Sequence, residues 1–161
     1  MQRNLRQITN EFREHWINYV LQSLLAAVTI AIVIVFLNLE NAVVVASIGA
    51  TAFIVFAMPR SITAKPRNVI GGQMAGLVSG SLCAMIPHAY FYQEVLIYSL
   101  AVGISIFIMV VVDVEHPPAS GTALGVAVTG FSWKVALALI TAVIILSLVH
   151  RLFRSVIRDL V

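Results

Sequence analysis

The chain predicts an all-α fold, a polytopic transmembrane helix bundle of about six helical segments, one of them short. Three observations carry this. Sixty per cent of the 161 residues are apolar and only 11% are charged, where soluble domains carry about 25%. Mean hydropathy is +0.99. Long apolar runs alternate with short breaks rich in Pro, Gly, Asn and Asp. Together these exclude a water-soluble fold. A spanning helix needs about 20 residues, so the chain has length for several crossings and none for a separate soluble domain. The expected division is an amphipathic cytoplasmic N-terminal segment at 1–15 and a single transmembrane helical domain at 16–161.

Leu5, Ile8, Phe12 and Trp16 recur at helical spacing among Arg3, Arg6, Glu11, Arg13 and Glu14. That stripe predicts a helix lying on the membrane surface, with a solvated tail as the alternative. The first span runs from about Trp16 to Leu39 and opens on an aromatic, as interfacial ends do. Its β-branched residues do not argue for a strand, because an unpaired strand edge does not survive in lipid. A tight turn at Asn38, Glu40 and Asn41 leads to a second span, about Ala42 to Met58, which Pro59 ends. The polar stretch from Pro59 to Asn68 feeds a third helix, about Val69 to Met85, carrying Gly72, Gly76 and Gly80. Glycines at four-residue spacing share one face, where another backbone can approach closely. Pro87 to Glu94 reads as an aromatic-bearing connection at the bilayer interface, and Val95 to Val112 as a fourth span. Beyond Asp113, Glu115, His116, Pro117 and Pro118 comes the run from Ala119 to Gly130. It is too short to cross about 30 Å of hydrocarbon at about 1.5 Å per residue. A half-helix or a thin, buried fifth helix is expected there, with Gly121 and Gly125 on one face. A last span, about Trp133 to Phe153, closes the chain.

Basic residues cluster at Arg3, Arg6 and Arg13, at Arg60, Lys65 and Arg67, and at Arg151, Arg154 and Arg158. All three clusters belong on the cytoplasmic side, which requires an even number of crossings and cytoplasmic N- and C-termini. Six segments satisfy this, as do four full crossings with partly inserted segments. The expected location is a bacterial inner (plasma) membrane. A net charge of +3, scattered at the edges of apolar runs, is a topology signal and not a nucleic-acid-binding surface. The lone Cys83 reads as a buried thiol, and no cofactor is implied.

The run Ile48 to Ile54 is echoed by Val102 to Ile108, each ahead of a proline-ended loop and a glycine-spaced helix. An internal two-helix repeat would explain the echo; chance alignment of small apolar residues is the alternative. Repeats of this kind would run parallel and bring both loops to one side of the membrane. Each loop launches a helix just after a proline, where free N–H groups and the positive end of the helix dipole attract an anion.

The backbone N–H groups of Asn68, Ser120 and Gly121, with the hydroxyls of Ser120 and Thr122, are the natural donors at a constriction. Arg67, between Pro66 and the helix start, is the leading basic candidate. Arg60 and Lys65, with Arg67, would form a basic cytoplasmic entrance, unless the three serve only as the positive-inside signal. His116 is placed to carry a proton near neutral pH, with Asp113 and Glu115 beside it. The plainer alternative is that Glu115 and His116 cap the loop or pair with Arg60 or Arg67. A metal site is disfavoured because no second histidine lies near these residues. Gln73, in an apolar helix, needs a polar partner.

The stretch Asp113 to Gly125, together with Ser47 to Phe53, Pro59 to Asn68 and Gly71 to Gly80, resembles the HPP family of integral membrane proteins. The family takes its name from the motif that stands here as His116, Pro117 and Pro118. The likeness covers most of the chain. It implies four transmembrane helices, from which the six-segment reading departs. It also implies transport of nitrite or a similar small anion, since plant and cyanobacterial members are associated with nitrite transport. A membrane transporter or channel for a small inorganic anion is therefore the expected function, and not an enzyme. The rivals are a membrane-embedded enzyme using His116 with Glu115 or Asp113, and a non-transporting scaffold assembled through its glycine faces. No nucleophile motif or phosphate-binding loop supports the enzyme. So small a chain has little helix mass to enclose a pore, so a homo-oligomer in the lipid bilayer is expected.

Overall fold

The computed structural model describes residues 5–37 and 42–161, with side chains over 9–35 and 44–161. Arg3 and the turn expected at Asn38, Glu40 and Asn41 lie outside the described residues, as do the side chains of Leu5, Arg6 and Ile8. Six α-helices follow in order: α1 (Leu5–Leu37), α2 (Ala42–Ala57), α3 (Pro66–Ala84), α4 (Phe91–Val111), α5 (Pro118–Thr129) and α6 (Trp133–Phe153). A 3-10 turn at Ile62–Ala64 sits between α2 and α3, and no strand occurs among the described residues.

The helices divide into two kinds. Within α1, in α4 and in α6 lie segments long and apolar enough to cross a membrane, and α2 is a shorter apolar helix. Their exposed residues, such as Leu24, Val28, Phe53, Leu100, Phe107 and Leu148, are the large apolar side chains that suit lipid. By contrast, ten of the 19 residues of α3 and seven of the 12 of α5 are buried, against four of 21 in α4. α3 and α5 are thus an inner pair. α2, α4 and α6 pack around them, and α1 lies outside on α2 and α6. Three helices with spans long enough to cross, one shorter apolar helix and two inner, glycine-bearing ones make up the six.

Backbone contact holds the inner pair together. A Cβ on Gly76 would overlap the carbonyl oxygen of Ala119, and one on Gly80 would stand 2.5 Å from that of Ala123. Such close approach replaces the hydrophobic drive that is absent between helices in lipid. The echoed glycines of α2 and α4 behave differently: Gly49 and Gly103 both face open space. Exchanging the two halves maps the α2–α5 contact onto the α4–α3 contact. The likeness stops at α4, which packs on α5, whereas α2 reaches α3 through side chains.

Several boundaries differ from those expected. α3 begins at Pro66, the first-turn position that proline favours, and not at Val69. α4 begins at Phe91, so Phe91 to Glu94 belong to the helix and not to the connection. Its start is drawn back by Gln93, whose side-chain oxygen accepts the N–H groups of Ala89 and Tyr90. In α1, His15 leaves the helical region at φ −126° and ψ 19°, one residue before Trp16.

The C-terminal end of α4 directs the path of the α4–α5 loop. Asp113 adopts φ +58°, its N–H bonds the Val110 carbonyl, and the Val114 N–H reaches back to the Met109 carbonyl at 2.9 Å. This double closure with a left-handed residue is a Schellman turn, and Val114 and Met109 supply its usual apolar contact. It sends the chain directly over Gly71 and Gly72, where a side chain would strike Val114 and His116.

Beyond α6, the tail folds back over the same end of the bundle. The Leu160 N–H bonds the Ala57 carbonyl at 2.9 Å, and the Tyr19 hydroxyl bonds the Leu160 carbonyl. Gln22 donates to the carbonyls of Phe56 and Arg158 and accepts the Arg158 N–H. These ties hold the tail beside the α2–α3 loop, which the bonds of Arg67 to Asp113 and of Asn68 to the Glu115 carbonyl join to the α4–α5 loop at the same end. Exposed Tyr90, Phe91, Tyr92, Phe131 and Trp133 mark the other, an arrangement suited to a membrane interface.

Candidate functional site

Ser47 and Thr51 stand one turn apart on α2 and face inward. Opposite them is Gln73 of α3, whose neighbour Gly72 leaves room for the Cβ of His116. Pro117 and Pro118 start α5, which places Thr122 one turn inside that helix. The side chains of Ser47, Thr51, Gln73, Thr122 and His116 converge, and none is more than 4% exposed.

The cluster is bonded throughout. Gln73 donates from Nε2 to Thr51 Oγ1 at 3.0 Å and to Ser47 Oγ at 3.3 Å. Its Oε1 accepts from the Thr122 hydroxyl at 2.6 Å. Ser47 Oγ lies 2.6 Å from the Pro118 carbonyl, to which it donates, and 2.7 Å from Thr122 Oγ1. His116 Nδ1 is 2.9 Å from the Thr63 carbonyl, and Nε2 is 2.9 Å from Thr51 Oγ1. A carbonyl cannot donate, so the proton of the neutral ring sits on Nδ1 and Nε2 accepts from Thr51. Burial pushes the imidazole below its ordinary range, and the bond to Thr63 opposes that in part. Burial thus favours the neutral form of the ring in this arrangement.

The residues expected at a solute path are distributed differently. Arg67 lies 3.3 Å from Asp113 and donates to the Val112 carbonyl, with 65% and 79% of the two paired side chains exposed. Asn68 is buried and donates to the Glu115 carbonyl at 3.2 Å. The Glu115 side chain is exposed, so neither carboxylate touches His116. The alternative in which Glu115 or His116 pairs with an arginine is likewise absent: Asp113 takes Arg67, and His116 takes Thr63 and Thr51. Lys65 and Arg60 are both exposed, and the Arg60 N–H bonds Asp159 of the tail at 3.0 Å.

The free helix-terminal donors expected at Asn68 and Ser120 are not free. The Asn68 N–H is spent on the Lys65 carbonyl at 2.9 Å and that of Ser120 on the Pro117 carbonyl at 3.1 Å. Both first turns close on themselves. Ser120 and Gly121 are half-buried, with Gly121 against Ser47, and Gly125 is buried in α5. Of the residues expected along the solute path, His116 and Thr122 join the cluster, and Gln73, singled out as needing a polar partner, finds three there. Ser47 and Thr51 escaped the sequence reading as site residues. The available signal was a hydroxyl pair at i and i+4 on an otherwise apolar helix that faces Gln73. Among the described residues, three buried polar atoms lack a partner: Ser105 Oγ, Ser147 Oγ and His150 Nδ1. Ser105 occupies in the α4 echo the place that Thr51 holds in α2.

The family model for the HPP transmembrane region matches residues 9–159. A curated transmembrane protein of Dictyostelium discoideum is 36% identical over 91 residues, covering 55% of this chain and 31% of that relative. The matched segment thus spans about a third of that relative's length. No solved structure matches. The family match runs from α1 into the C-terminal tail and includes the His116–Pro117–Pro118 segment that builds the cluster, so the chain belongs to the HPP family of transmembrane proteins.

Proposed function

We propose that this protein carries a small monovalent inorganic anion, nitrite first among them, across the membrane along the seam between α2, α3 and α5. One observation supports the reading above the others. Three hydroxyls, a carboxamide and an imidazole converge in the bundle where α2, α5 and α3 beyond Arg67 contain no Asp, Glu, Lys or Arg. Neutral donors of this kind can replace part of an anion's hydration shell without binding it too tightly to release it. In the described conformation these donors satisfy one another, which corresponds to an occluded state. Passage requires the helices to part and the donors to exchange an internal acceptor for the solute. The proposed setting is a bacterial inner membrane with both termini cytoplasmic and a homo-oligomeric assembly.

Catalysis is the weaker proposal. Thr51 and His116 have the spacing of a hydroxyl nucleophile and its base, but both are fully buried and Gln73 already occupies the hydroxyl. The scaffold reading draws support from the complete bonding of the cluster. Reconstitution of the purified full chain into liposomes separates the three. Saturable nitrite flux is expected, greater than that of chloride and strongly reduced in Gln73→Leu. Absence of protein-dependent flux of nitrite, nitrate, formate and chloride under either pH gradient would refute transport. Unchanged flux in Gln73→Leu would move the path away from this seam.

A further inference from the structure

We propose that His116 and a monovalent anion occupy the cluster as a neutral pair, the imidazole accepting a proton at Nε2 while the Thr51 hydroxyl turns from Nε2 to the Ser47 carbonyl. The proposal rests on the anion path above and deepens it.

The geometry already contains both proton arrangements. Thr51 Oγ1 stands 2.9 Å from His116 Nε2 and 3.0 Å from the Ser47 carbonyl oxygen. With the ring neutral, the Thr51 proton points to Nε2. With the ring charged, Nε2–H donates to Thr51 Oγ1, and the Thr51 proton points to the Ser47 carbonyl. In both arrangements Thr51 Oγ1 still accepts from Gln73 Nε2 at 3.0 Å, and Nδ1–H still donates to Thr63. Exchanging one proton arrangement for the other moves no heavy atom of Ser47, Thr51, Thr63 or His116 and leaves each of their shared protons an acceptor; admission of the anion is the separate parting of the helices proposed above. The hydroxyl of Thr51 is a rotor between two complete networks.

Charge balance supplies the reason for the second arrangement. An anion alone at this depth is costly, as is an imidazolium alone. The neighbouring elements offer neither a counter-ion. α2 and α5 contain no ionisable side chain, α3 has Arg67 at its exposed start, and Glu94, Tyr92 and Tyr98 of α4 belong to its opposite half. The α2–α3 loop brings Arg60 and Lys65, both exposed, and the α4–α5 loop brings exposed Glu115 and Asp113, the latter held by Arg67. Burial is the principal influence on the ring, and the Thr63 carbonyl is the other. Anion and proton therefore each remove the cost of the other. A divalent anion would leave an uncompensated charge and be excluded.

The test is a titration of the full chain, with its histidines labelled with 15N in the imidazole ring, in lipid nanodiscs, read by NMR between pH 5 and 8. His116→Gln assigns the signal against those of His15, His88 and His150. Sodium nitrite is the probe, with sodium sulfate at equal ionic strength as the divalent control. Saturating nitrite is expected to raise the half-protonation point of His116 by about one pH unit, a tenfold gain in proton affinity. By reciprocity, nitrite binds about tenfold more tightly to the protonated form. Thr51→Ser keeps the shift, and Thr51→Val reduces it by more than half. A His116 titration that nitrite leaves in place overturns the proposal, and so does an equal shift with sulfate. A full shift in Thr51→Val overturns the rotor. Nitrite flux in liposomes without the shift leaves transport standing and removes the pairing; the shift without flux does the reverse.

Discussion

Gly76→Ala adds one methyl group where α3 meets the backbone of α5. The new Cβ would fall on the carbonyl oxygen of Ala119, which belongs to the first turn of α5 and cannot swing aside as a flexible side chain would. The two helices must separate along a contact that also passes Gly80. Overpacking of a tight core costs about 3 kcal/mol at the upper end of its usual range. Alanine returns about 1 kcal/mol of helix propensity, which leaves a net loss of about 2 kcal/mol. Gly49→Ala and Gly103→Ala carry the same chemistry into open space and are expected to change stability by less than about 1 kcal/mol, in the favourable direction. The assay is reversible unfolding in mixed micelles, with the three variants measured beside the parent protein. A Gly76→Ala variant as stable as Gly49→Ala would refute the account of how the inner pair is held.

Four further outcomes are expected. Burial lowers the folded-state pKa of His116 from its ordinary value of 6.5, so between the two values the unfolded chain binds more protons. Stability from this residue is complete above about pH 6.5 and is lost as pH falls through that window; His116→Gln should flatten the acid limb of an unfolding-versus-pH curve. Gln73→Leu leaves the Thr122 hydroxyl without its carbonyl acceptor and should cost about 1 kcal/mol in the same unfolding assay, near the usual range for a hydrogen bond between membrane helices. Arg67→Ala removes an exposed ion pair and should cost less than about 1 kcal/mol; a larger loss would show that the pair anchors the α4–α5 loop. Gln22→Ala frees both backbone groups of Arg158, and limited trypsin digestion should then cut after Arg158 several-fold faster.

The helix order is legible because each apolar run ends at a breaker whose physics is local. Pro59 ends α2, the left-handed Asp113 closes α4, and Gly130, at φ +82°, stops α5. The start of α4 is less legible, because it depends on the side chain of Gln93 reaching back to two N–H groups. The cluster is half legible. His116 and Thr122 belong to an unusual motif, but a serine or threonine in a membrane helix ordinarily bonds its own i−4 carbonyl. Ser79, Ser81 and Thr141 do so here. The i, i+4 spacing of Ser47 and Thr51 is visible in the sequence, but the partners are not: Ser47 crosses to α5, and Thr51 bonds its own turn and His116 as well. The state of the helix-terminal N–H groups is hidden for a similar reason: proline marks both helix starts, but whether the N–H groups of Asn68 and Ser120 stay open depends on how the turn before them closes, and here both are bonded.

The contrast between outer and inner helices sets an order for biogenesis. α1, α4 and α6 can each partition into lipid as they leave the ribosome, since their apolar side chains need no partner. α3 begins with Arg67 and Asn68 and carries Gln73 and a bare glycine face, and α5, at 12 residues, is about 18 Å long. Neither is a good membrane segment by itself. The glycine face of α3 stays uncovered until α5 emerges, some fifty residues later in translation, so the first half of the chain has to be shielded while it waits. Assembly therefore completes from the outside inward, and a nascent chain arrested before Thr129 should remain a substrate for membrane quality control.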